Sequence, residues 1–317
     1  MTLDLRALPK AELHLHFEAT IGPDTANDLA HQRGLPLPPT GPFASLSDFV
    51  VAYERARDLV GSLDDVRRLA VELRDRQLSD GVVWTEVHLI PSTYGGALGE
   101  ADGIVEALLD GAGTETVGVV LGINRGLPVP EAEHTLDVAL RWAGSGVVAL
   151  GLAGDEAHHP IDTFADTFAR ARANGLPVVP HAGEGDGAAS VRAALSVDPA
   201  RICHGVRAVE DPDLLSLIAE RGVCLDLAPS SNIMLGVVAE LDQHPLPELM
   251  RRGVEVTLNS DIAGFLGHGL LAEYQLCADA WSLSSAEVTA LAETSLRHAL
   301  CPEPVRDTAI GALRSRV

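Results

Sequence analysis

Lysine is almost missing from this 317-residue chain: Lys10 is the only one. No Gly-Lys-Ser/Thr run occurs, and Lys10 stands just ahead of the first strand-like stretch. A phosphate-binding P-loop and a Schiff-base lysine are therefore both poor readings. The four cysteines, Cys203, Cys224, Cys277 and Cys301, form no Cys-x-x-Cys pair, which excludes a zinc ribbon and a thioredoxin motif. They are expected as buried thiols of a reduced, cytoplasmic protein. Positive charge is short, with 23 Lys+Arg against 45 Asp+Glu and a net charge of −22. A surface that acidic repels phosphate backbones and anionic lipid, so no nucleic acid and no membrane are expected as partners. No apolar run reaches the ~18 residues of a spanning helix. Asp4, Arg6, Lys10 and Glu12 leave no room for the apolar core of a secretory signal.

What is present is alternation. Short Val/Leu/Ile-rich runs near 11–17, 82–90, 116–123, 146–152, 177–181, 200–204, 223–227 and 254–259 read as eight buried parallel strands. Amphipathic stretches lie between them. In 65–79, Val66, Leu69, Leu73 and Leu78 share a side; in 210–221, Leu214, Leu215 and Ile218 do, with Asp211 or Asp213 as the cap. Eight strands alternating with helices predict a (β/α)8 TIM barrel, one domain over 1–317, with extra helices at the C-terminal end. No Gly-x-Gly-x-x-Gly follows the first strand, which speaks against a doubly wound sheet. Segment 18–81 is too long for one connection and holds additional helical runs at 24–33 and 46–60. It is read as a helical insertion, either a lid or surface decoration.

Four strand ends carry polar residues. His14 and His16 are two apart on the first strand, so both imidazoles point one way. His181 closes the fifth strand, with Glu184 three residues on; His204 closes the sixth; Asp261 follows the eighth. Singly each has an ordinary reading: a solvated His pair, a helix-start acid at Glu184, a hydrogen-bonded core histidine, an Asx turn at 259–261. Together they crowd the carboxyl-terminal rim, where barrel enzymes do their chemistry. Three His and one Asp form a zinc-type ligand set with a position left for water. A remaining His and Glu would supply proton transfer.

The segments Glu12–His16, His181–Glu184, His204-Gly205 and Ser260-Asp261 resemble the adenosine deaminase family of the amidohydrolase superfamily. So do Leu152-Ala-Gly-Asp-Glu156, Pro229-Ser-Ser-Asn232 and the run Arg201–Pro212, over nearly the whole chain. The resemblance implies one Zn2+ per chain held by His14, His16, His181 and Asp261, and a small-molecule substrate. It implies that Asp261 takes a proton from the attacking water, His204 orients that water, and Glu184 protonates the ring nitrogen beside the amine-bearing carbon. Gly154 would approach the purine through its backbone, and Glu18 would lie on the sugar side.

Three positions depart from the family. Ile262 stands where the family has a second Asp that binds the purine five-ring nitrogen. Ala19 replaces a usual Gly, and Gly151 a common Asp. Metal and proton-transfer residues are kept while substrate contacts change. The expected reaction is release of ammonia from an adenosine- or adenine-type aminated purine. The alternatives are a modified nucleoside or non-purine heterocycle with little adenosine activity, or a metal-bound barrel without turnover.

Overall fold

A computed structural model describes residues 3–44 and 46–315. Eight parallel strands follow one another in sequence order: β1 (Lys10–His16), β2 (Val82–Leu89), β3 (Val117–Asn124), β4 (Val147–Ala153), β5 (Val178–Ala182), β6 (Arg201–His204), β7 (Cys224–Leu227) and β8 (Val256–Leu258). Each boundary falls within two residues of the sequence reading. The ring closes between β8 and β1. His16 N donates to Asp261 O at 2.9 Å, and Asp261 N to His14 O at 3.0 Å. The Asn259 side chain adds to this seam: its Oδ1 accepts from Leu13 N at 2.8 Å and His14 N at 3.1 Å. Residue 259 is thus a barrel-closing bond rather than the turn cap that sequence allows.

Burial explains why the strands read so plainly. Both faces of the strands are covered, so their Val, Leu and Ile residues are almost fully enclosed, apart from the half-buried Val83 and Val148. Two details differ from expectation. On the helix Leu63–Ser79 the buried side runs through Val66, Leu69, Leu73 and Gln77, while Leu78 is 49% exposed. Gln77 is drawn inward because it donates to the buried Glu12 carboxylate. Lys10 lies inside β1 rather than ahead of it. It is fully enclosed, with Nζ donating to Leu5 O at 3.0 Å and Asp80 O at 2.7 Å, and burial lowers its pKa to about 8. Asp211, not Asp213, caps the helix Pro212–Arg221 through the backbone N–H groups of 213 and 214.

Between β1 and β2 the chain adds the helices Pro23–Arg33 and Leu46–Asp58 before Leu63–Ser79. After β8 come Ala263–Leu266, Leu270–Ala280, Ser285–His298 and Glu303–Arg314. Gly264 is fixed by contact: a Cβ there would lie 2.6 Å from Ile21 O and 2.7 Å from Ala19 O. The chain after β8 therefore presses directly on the chain after β1. Among the described residues no helix is long and apolar enough to cross a membrane.

Candidate active site

The carboxyl ends of β1, β5 and β8 bring four side-chain atoms together. His181 Nε2 is 3.0 Å from both His14 Nε2 and His16 Nε2. Asp261 Oδ1 is 3.3 Å from His14 Nε2 and 3.4 Å from His16 Nε2. A register shift in β1 between Glu12 and Leu15 lets Glu12 turn to the seam, where Ser260 N donates to it at 2.7 Å. Two partners fix the cluster from behind. His14 Nδ1 donates to Asp226 O at 3.3 Å, leaving Nε2 as a free lone pair, and Ser231 Oγ donates to Asp261 Oδ2 at 2.6 Å. Asp261 and His204 both hold positive φ, 58° and 64°, an uncommon conformation for side-chain-bearing residues and one concentrated at functional sites.

This donor set fits a metal ion. Two ligands about 2.0–2.1 Å from one ion at a tetrahedral angle stand about 3.3 Å apart, close to the 3.0–3.4 Å edges found here. Burial, with repulsion between the rings, depresses all three imidazoles, so they stay neutral and present lone pairs to one point.

Beside the cluster, Glu184 Oε2 is 3.4 Å from His204 Nε2, which is 4.0 Å from Asp261 Oδ2. Burial raises the Glu184 pKa to about 7, against the opposing pull of His204 and with help from Asp261 and Glu156. The next helix starts only at Ala188, so Glu184 is not a helix-start acid. Its loop is pinned by Glu156, whose buried carboxylate accepts from the N–H groups of Gly183, Glu184 and Asp186 at 2.7–2.8 Å and from Ser190 Oγ at 2.5 Å. Arg125 Nη2 donates to His181 O at 2.9 Å.

The other expected contacts surround this centre. Gly154 follows β4 with φ of 112°, and a Cβ there would lie 3.2 Å from Arg125 Cγ. Glu18 is buried; its Oε2 accepts from Tyr53 OH at 2.5 Å, and the Tyr94 hydroxyl acts on the same carboxyl. Ile262 is enclosed in an apolar cluster with Ala19, Phe49 and Leu235. Phe49 and Tyr53 belong to the inserted helix Leu46–Asp58, so the insertion reaches the site. A cavity of about 140 Å3, lined by Glu18, Ala19, Leu37, Pro38 and Phe265, opens beside it. Gly151 is tight rather than spacious, since a Cβ would be 3.0 Å from Val120 Cγ1.

Sequence reasoning missed His88 on β2. Its ring centre lies 5.2–5.4 Å from those of His14, His16 and His181. The two-residue spacing of Trp84, Glu86 and His88 is the signal that would have marked a further inward-facing column. It also missed Tyr53 and His244, which local patterning does not mark.

An eight-stranded parallel barrel with His-x-His on β1, a third His on β5 and an Asp after β8 defines a metal-dependent hydrolase. The chain belongs to the adenosine deaminase family, whose pattern it matches over residues 9–315, and is a hydrolytic deaminase. It is 35% identical to an adenine deaminase of Sinorhizobium medicae, covering 96% of this chain and 98% of that one. It is 34% identical to an adenine deaminase of Sinorhizobium fredii, with the same coverage. The crystal structure of an adenine deaminase from Arthrobacter aurescens superposes with a TM-score of 0.91 at 26% identity, covering 98% and 99% of the two chains.

Proposed function

We propose that the protein removes the exocyclic amine of adenine, or of a closely related neutral aminated purine, with one zinc ion per chain. The observation that carries this reading is the meeting of His14, His16, His181 and Asp261 beside Glu184 and His204. Zinc, when bound, makes water acidic enough to be deprotonated near neutral pH. Asp261 accepts the proton that the attacking water loses. His204 donates a hydrogen bond from Nε2 to the oxygen as it adds to the amine-bearing carbon. Glu184, held protonated by burial, gives its proton to the neighbouring ring nitrogen and offsets the lost aromaticity. Asp261 then returns its proton to the amine nitrogen, the C–N bond breaks and ammonia leaves, while the added hydroxyl gives its proton back to the Glu184 carboxylate as it becomes a carbonyl. Gly154 borders the ring, and the insertion carrying Phe49 and Tyr53 covers it.

A neutral substrate is favoured by the lining of the adjoining cavity. Among the described residues its lining is the Glu18 carboxyl, neutral Asn27 and Thr40, and apolar side chains, with no Lys, Arg or His. A nucleotide phosphate would meet that acid with no cation in the lining to bind it, Arg57 acting on Glu18 only from outside the cavity. A second reading, a modified nucleoside or other heterocycle with little adenosine activity, is favoured by Ile262, which offers no polar group.

Metal analysis tests the ligand set. Purified protein should carry about one zinc per chain, and replacing both His14 and His16 by Ala should remove it. Full occupancy in that double variant would overturn the assignment.

A further inference from the structure

The His204 ring has a second edge, facing away from the cluster, and that edge ends on a buried hydrogen-bond chain. Its far end is a backbone amide, which can only donate: Leu246 N–H reaches His244 Nδ1 at 3.2 Å. His244 Nδ1 therefore carries no proton. The ring is 3% exposed, and burial lowers its pKa to about 3, so it is neutral with its proton on Nε2. That Nε2–H donates to Asn232 Oδ1 at 3.1 Å. The Asn232 amide is thereby oriented, and its Nδ2–H2 donates to His204 Nδ1 at 3.3 Å. We propose that His244 and Asn232 are positioning residues that hold His204 in the Nε2–H tautomer, so that a donor, not a lone pair, faces Glu184 and Asp261.

The consequence is specific. In the opposite tautomer His204 Nε2 would be a lone pair beside the imidazoles of His14 and His181. It would compete as a ligand and could not donate to the oxygen that adds to the substrate. His244 itself is braced, with its ring 5.9 Å from that of Trp281. The inference rests on the deaminase reading for what His204 does, but the tautomer can be read without any substrate.

The test is 15N NMR of histidine-labelled, metal-free protein, with the His204 signals assigned by loss in His204→Asn. The wild type should show His204 protonated on Nε2. Asn232→Asp, which offers His204 Nδ1 an acceptor, should move the proton to Nδ1 or charge the ring. The zinc-loaded variant should keep its folded circular-dichroism spectrum and lose kcat by at least tenfold, with KM changed less. Should Asn232→Asp fail to fold, His244→Phe keeps the ring against Trp281 and removes the anchor; it should give mixed His204 tautomers. A wild-type His204 protonated on Nδ1 overturns the proposal, as does a folded Asn232→Asp with unchanged tautomer and kcat. Absence of deaminase activity alongside an Nε2–H His204 would overturn the functional reading alone.

Discussion

Glu184 combines burial with a proposed donor role, and the two can be separated by one atom. Glu184→Gln is nearly isosteric but has no proton to give, so turnover should fall at least 10²–10⁴-fold while zinc content stays near one. More than a tenth of wild-type rate in that variant would take the acid role away from Glu184. With its pKa raised to about 7, the active protonated form is lost as pH rises, so wild-type kcat/KM should decline on the alkaline side. In metal-free protein the same shift acts on stability. A carboxyl whose folded pKa is raised contributes stability below its unfolded value of ~4.5 and loses it as pH climbs through about 7. Glu184→Gln should therefore gain on the wild type over that window. Ile262 is the counterpart on the substrate side. Ile262→Asp should raise kcat/KM for adenosine, with a ceiling of about ten- to a hundredfold for one charge-assisted hydrogen bond. It should also lower Tm, because the carboxylate enters the contacts with Ala19, Phe49 and Leu235. Wild-type kcat/KM on adenosine already near 10⁵ M⁻¹s⁻¹ would contradict a changed substrate preference.

At the scale of elements, the loop after β5 is where chemistry and architecture meet. Glu156 leaves β4 by three residues and holds three backbone N–H groups of the Glu184 loop. Glu156→Ala would strand those donors, each buried unsatisfied group costing about 1–3 kcal/mol. We expect kcat to fall at least tenfold with zinc content unchanged, because β1, β5 and β8 still supply the ligands. Unchanged kcat would mean that the loop is held by something else. This arrangement also marks what sequence can and cannot reveal. The strands were legible because both faces are buried and the aliphatic runs are continuous. The four residues of the His/Asp cluster were legible because each sits at a strand end in a short motif. Glu156 closes the Leu152-Ala-Gly-Asp-Glu156 run, yet its partners are about thirty positions away in sequence. Asn259 reads locally as a turn residue, and only closure of the ring turns it to Leu13 and His14. Leu78 and Gln77 exchanged sides because a buried carboxylate at 12 outweighs one apolar contact. His244 belongs to a loop that reaches Asn232 and His204 only in the folded chain.

For the whole molecule, the barrel sets the proposed ligands from distant parts of the chain at one point: residues 14, 16, 181 and 261 meet only when the ring is closed. The seam bonds between β8 and β1 flank the cluster on both sides, so closing the barrel and assembling the His/Asp cluster are one event. Metal bound to the folded state alone stabilises it by mass action, and protons compete for its His ligands as pH falls. The most direct measurement follows ammonia release from adenine by protein as purified, after exhaustive chelation, and after return of one equivalent of zinc, with adenosine and an adenine nucleotide as comparison substrates. Turnover of adenine should vanish on chelation and return with about one zinc per chain, and the nucleotide should be inert. Undiminished ammonia release by metal-free protein, or no release from any aminated purine by the zinc-loaded protein, would contradict a zinc-dependent purine deaminase.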